Sequence, residues 1–129
     1  MIQLDTSWLQ HVQKPARYTG GEYNSIVKDH GTVDVTMALG FPDVYEVAMS
    51  HLGIKILYGL VNRREDAVAE RVFAPWHDME EEMRKRNIPL FSLETRTPIK
   101  DFDVLAFTLQ YEMSFTNILN MLDLAGIPM

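Results

Sequence analysis

Few side chains in this chain are suited to chemistry, and their types restrict what that chemistry is. There is no cysteine among the 129 residues. Disulfides, thiolate zinc sites and iron–sulfur ligation by these residues are therefore excluded. Four histidines are present, His11, His30, His51 and His77, and none stands four residues from another, so the helical histidine pair of a metal site is missing. Ser50-His51 joins a nucleophile type to a base type, but no third partner follows from the sequence and a hydrolase triad is unsupported. Neither G-x-G-x-x-G nor G-x-x-x-x-G-K-[ST] occurs, which removes the usual dinucleotide and phosphate loops. What remains is three loops: Gly40-Phe-Pro-Asp-Val-Tyr-Glu-Val-Ala-Met-Ser-His-Leu-Gly53, Ala74-Pro-Trp-His-Asp78 and Gln110-Tyr-Glu-Met-Ser114.

Each loop follows a stretch that reads as a strand. Val33–Leu39 alternates apolar with small or polar residues and is rich in β-branched types. Ala69–Ala74 is a second strand, stopped by Pro75. Phe102–Leu109 is a nearly continuous apolar run, the pattern of a strand buried on both faces of a parallel sheet. Helices fill the gaps. Leu52, Ile56, Gly59 and Leu60 share one side of a helix reaching about Asn62. Residues 79–87 carry acids first and bases last, matching the helix dipole, with Met79 and Met83 inward. Residues 114–125 carry Phe115, Ile118, Leu119, Leu122 and Ala125 along one stripe. Asp43-x-x-Glu46 and Asp78-x-x-Glu81 have the form of capping boxes, and Ser50 is a further N-cap candidate. Trp76-His77 covers the sheet end, and Glu80–Glu82 reads as a solvated first turn.

The sum is β-α-β-α-β-α with short connections: an α/β chain with a truncated Rossmann-like or flavodoxin-like, doubly wound parallel sheet. Right-handed crossovers give strand order 2-1-3. Ligands of such sheets bind outside the carboxyl ends of the strands, which selects the three loops. The first is far longer than the roughly 2–6 residues usual for such a connection. Gly53, one turn into the next helix, lets a backbone or a flat ligand approach closely.

Residues 1–31 read as an N-terminal arm or cap, with a short helix over 3–12 carrying Trp8 and Val12 and a break at Gly20-Gly21. Residues 32–129 read as the α/β domain. Gly126 stands where a left-handed C-cap belongs and Pro128 follows, so the last helix is complete. An α/β chain next needs a strand, and the expectation is a piece of a longer protein. Its third strand then has an open edge through which the fragment self-associates.

The net charge of −6 gives no indication of a nucleic-acid surface, and the Arg84-Lys85-Arg86 cluster complements a helix end. No run reaches the roughly eighteen apolar residues of a membrane span. The N-terminus has no basic stretch followed by an apolar core, so no signal peptide is read and a cytoplasmic location is expected.

Lys14-Pro-Ala-Arg-Tyr-Thr-Gly-Gly-Glu-Tyr-Asn24, Phe41-Pro-Asp-Val-Tyr-Glu-Val-Ala-Met-Ser-His-Leu-Gly53 and Phe73-Ala-Pro-Trp-His-Asp78 resemble the N-terminal part of a family of large bacterial proteins. These join a B12-binding-like domain to a radical SAM domain and are described as Fe–S oxidoreductases. The resemblance implies a parent that binds a [4Fe-4S] cluster and S-adenosylmethionine through a downstream C-x-x-x-C-x-x-C motif. It implies that the radical SAM domain is the partner of this piece, and that cobalamin is the cofactor of this domain. The D-x-H-x-x-G of many B12-binding domains is not matched, by His51-Leu-Gly53 or by Asp29-His30-Gly31. B12-dependent radical SAM relatives often lack that histidine. Ser50-x-x-Gly53 resembles their S-L-G segment beside the cofactor. The match points to Ser50, Leu52 and Gly53 as cofactor contacts, with Tyr45, Gln110 and Tyr111 from neighbouring loops.

Two other readings follow from the same residues. One is an interaction or docking domain that keeps the Rossmann-like shape without a cofactor, since fold does not imply function. The other is a receiver-like or flavin-binding domain, for which Asp43 and Glu46 are only loosely placed.

Overall fold

A computed structural model describes residues 5–129. Three parallel strands form one sheet: β1 (Val35–Phe41), β2 (Ala67–Phe73) and β3 (Val104–Phe107), in the order β2-β1-β3. Val35 to Phe41 pair with Ala67 to Phe73 on one side of β1, and Met37 to Gly40 with Val104 to Phe107 on the other. The expected 2-1-3 order is therefore the observed one. Helices α1 (Tyr45–Met49) and α2 (Leu52–Asn62) join β1 to β2, α3 (His77–Arg86) lies between β2 and β3, and α4 (Ser114–Ala125) follows β3. Alternation along the strands feeds two apolar clusters, one on each sheet face. Leu39, Ala69 and Phe73 pack with Ile54 and Tyr58 of α2. Ala38 and Val72 pack with Met79, Met83 and Met121 of α3 and α4.

The first residues reach that second cluster. Ser7–His11 forms a 3-10 helix, and Trp8, Leu9 and Val12 are buried in the core beside the methionines. Residues 3 and 4 of the helix expected over 3–12 lie outside the described residues. Lys28 crosses to the far end of α2, where its ammonium donates to the carbonyls of Asn62, Arg64 and Ala67 at 3.0, 2.6 and 2.7 Å. The ammonium thereby ties the last residue of α2, the connection after it and the first residue of β2 together.

The edge of β2 is sealed by side chains. The Asn62 amide donates to Ala69 O at 2.9 Å and accepts from Ala69 N at 3.0 Å. Arg71 N donates to the Glu94 carboxylate at 2.8 Å, and Leu93 N donates to Arg71 O at 2.8 Å. Among the described residues, β3 pairs only with β1. Gly40, opposite Phe107, has no room for a Cβ: one placed there would stand 2.5 Å from the Phe107 ring.

Four local expectations are corrected. On α2 the buried face is Ile54, Tyr58 and Asn62, while Leu52, Ile56 and Leu60 are exposed. On α4 the buried positions are Ser114, Met121, Leu124 and Ala125, with Phe115 and Leu119 exposed. Neither capping box forms. Val44 and Trp76 are the N-caps, and Asp43 and Asp78 accept instead from the next residue's N–H. His51, not Ser50, precedes α2. The acid-to-base order of α3 does hold, with Arg84–Glu80 and Arg86–Glu82 pairs along it. Gly126 takes the expected left-handed conformation at the end of α4.

Candidate functional site

β1 and β3 leave the sheet side by side, and their connections depart to opposite faces. A pocket of about 250 Å³ opens between their carboxyl ends. From β1 it takes Phe41, Pro42 and Asp43, then Val47, Ser50 and His51. From β3 it takes Gln110, Tyr111 and Ser114. Two hydrogen bonds brace it: Thr108 N donates to Gly40 O at 3.0 Å, and the Asn117 amide donates to Pro42 O at 2.8 Å.

His51 is the best-placed polar group. Its ring lies 5.2 Å from that of Phe41. It also lies over Gly53, where an added Cβ would stand 2.9 Å from the imidazole Cε1. Gly53 thus makes room for His51. The His51 Nδ1 is buried and has no hydrogen-bond partner among the described residues, and the same is true of the Thr108 hydroxyl. A buried polar atom left unpaired costs about 1–3 kcal/mol.

A second pocket, of about 420 Å³, lies on the α2 face toward β2. Its floor is Arg71, whose side chain is 5% exposed. The guanidinium bonds two carboxylates, Glu94 through Nε and Glu22 through Nη2, each at 2.6 Å. It also lies 4.7 Å from the Tyr58 ring centre. The Tyr45 hydroxyl bonds the other Glu22 oxygen. That bond pushes the Tyr45 phenol up to about 12. Burial alone would raise the Glu22 carboxyl, but the bonds from Tyr45 and Arg71 carry it below its ordinary value.

The family model for the N-terminal region of radical SAM proteins matches residues 53–129. The chain belongs to this family. Comparison with curated proteins and with solved structures gives no match. Radical SAM proteins use a [4Fe-4S] cluster and S-adenosylmethionine, and such clusters are held by cysteine thiolates. With no cysteine in the chain, these residues do not ligate it. The described residues hold no cluster of three or more metal-ligating side chains and no helix long and apolar enough to cross a membrane.

Of the residues singled out from the sequence, Ser50, Gln110 and Tyr111 line the pocket between β1 and β3. Gly53 sits beneath His51. Leu52 is 68% exposed beside it, and Tyr45 lines the other pocket, tied to Glu22. The Ser50 hydroxyl is already committed to Glu46 O at 2.9 Å. Thr108 carries no signal in the sequence, and His51 stands out there only beside Ser50 and in the unmatched D-x-H-x-x-G comparison. The position of His51 two residues before a glycine, in the long loop after β1, was the available signal.

Proposed function

We propose that this chain is the cofactor-binding N-terminal module of a radical SAM enzyme, and that cobalamin seats over the carboxyl ends of β1 and β3. The observation that carries the reading is a pocket at the point where α/β sheets bind ligands, lined by His51, whose buried Nδ1 has no partner among the described residues, and by Gln110 and Tyr111. The corrin ring system is too broad for a pocket of about 250 Å³. It would lie across the mouth, against the exposed Val47, Leu52 and Tyr111, and only a side arm would enter. Gln110 and Ser114 would then meet the amides of that arm, and Gly53 would keep His51 seated below. Bound there, cobalamin supplies a one-carbon carrier. The residues of this chain bind it, orient it and shield one side from water. The [4Fe-4S] cluster and S-adenosylmethionine belong to a downstream radical SAM domain of the same protein, the partner of this piece.

An absorbance titration of hydroxocobalamin tests the reading. A saturable spectral shift is expected, and Gly53→Trp, which drives His51 from its seat, should abolish it. Unchanged affinity in that variant would remove the site.

A second reading is favoured by a separate observation. Leu52, Ile56 and Leu60 on α2, and Phe115 and Leu119 on α4, are exposed, and among the described residues β3 pairs only with β1. Those surfaces suit a docking domain that binds no cofactor. The intact protein separates the two, because a corrinoid that co-purifies adds red absorbance beyond that of the iron–sulfur cluster. Its absence from active protein favours docking.

A further inference from the structure

The pocket on the β2 side is lined with charge that the proposed function does not use. Arg71 holds its two carboxylates in different ways. Glu94 is fully buried, accepts from both the backbone and the side chain of Arg71, and so fixes the guanidinium to the sheet. Glu22 is 25% exposed and comes from the N-terminal strap. The strap is pinned at each end, by Arg96 Nη2 donating to Thr19 O at 2.8 Å and by Ile26 N donating to the Tyr58 hydroxyl at 2.7 Å. Between those points Gly20 and Gly21 take φ of 64° and 77°, and the Tyr23 side chain stands fully in solvent. Glu22 is the strap's charged side chain that reaches inward, and it meets Arg71 and Tyr45 with Lys55 also lining the pocket. Removing Glu22 leaves Arg71 still paired, through Glu94.

A guanidinium edge and a phenol hydroxyl meeting on one carboxylate, with the Lys55 ammonium in the lining of the same pocket, are the donor set that recognises organic acids. The adjoining space of about 420 Å³, walled by Met49 and Tyr58, is within the usual size of a small-molecule site. We propose that Arg71, Tyr45 and Lys55 form a carboxylate-binding subsite, filled by the chain's own Glu22, and that a small organic acid with an apolar or aromatic body binds there by displacing it. Ligand binding then releases the strap over residues 20–25. This site is separate from the pocket between β1 and β3 and stands whether or not cobalamin binds.

The test uses phenylacetate and acetate as probes, titrated into the wild-type chain and Glu22→Ala, with chloride matching ionic strength. Melting temperature and the amide resonances of residues 20–27 are followed. Glu22→Gln, which keeps the strap's packing, gives the same reading without the cavity. The expected result is saturable stabilisation of both variants by phenylacetate, about tenfold tighter than in the wild type, and tighter than acetate. Adding Tyr45→Phe to the Glu22 variant should weaken binding several-fold. Absence of saturable binding in both variants would overturn the proposal. So would an equal response in wild type and variant, or one reproduced by chloride.

Discussion

The two edges of the sheet are built differently. On β2 the outward backbone groups are met by Asn62, Leu93 and Glu94, and every residue from Ala67 to Phe73 is buried. On β3 the residues are half-buried or exposed, and no second strand lies alongside among the described residues. An unpaired strand edge templates the pairing of another strand. The sequence thus closes one side with costly, specific polar chemistry and leaves the other ready for contact. The candidate cofactor pocket lies on the open side, and the pocket holding Glu22 on the closed one. Strand addition at β3 would extend the sheet without disturbing the sealed edge.

Breaking the seal should have the largest effect. Arg71→Ala leaves Glu94 buried without its cation, and a loss of about 3–5 kcal/mol is expected in urea unfolding. Asn62→Ala frees the N–H and C=O of Ala69, each worth about 1–3 kcal/mol. It should also raise self-association, read by sedimentation. Gly40→Ala presses on Phe107 and tests the seam that holds the open strand, with about 1–3 kcal/mol expected from overpacking. A smaller effect is expected in acid. The Glu22 carboxyl titrates below its unfolded value, so its contribution is full above the ordinary carboxylate range and is lost as pH falls through the folded value. Glu22→Gln should therefore flatten the acid limb of a stability–pH curve. The smallest change in stability, under about 0.5 kcal/mol, is expected for Val104→Lys on the exposed edge. That variant should nonetheless suppress self-association, and unchanged association would show that the edge of β3 is not the contact.

The strand order was legible because the apolar run Phe102–Leu109 and the alternation of Val33–Leu39 have few other interpretations in a chain with intervening helices. The faces of α2 and α4 were not. Leu52-Gly-Ile-Lys-Ile-Leu-Tyr-Gly-Leu-Val-Asn62 is apolar nearly all round, and periodicity cannot choose a side when one apolar stripe is left uncovered. The caps failed because neither acid stands at the N-cap: Asp43 is one residue before Val44, and Asp78 is two residues after Trp76. The long loop after β1 was found by its length and place. Arg71 was invisible, since a Glu-Arg pair in a strand reads as a solvated edge until Glu22, His30 and Glu94 are brought to it across the fold.

Amide resonances followed during a hydroxocobalamin titration test the central claim most directly, because they report which side of the sheet is occupied. Saturable shifts centred on residues 40–43, 50–53 and 108–111 are expected from a ligand seated between β1 and β3. Shifts confined to residues 20–27 and 71, or none at saturating ligand, would contradict it.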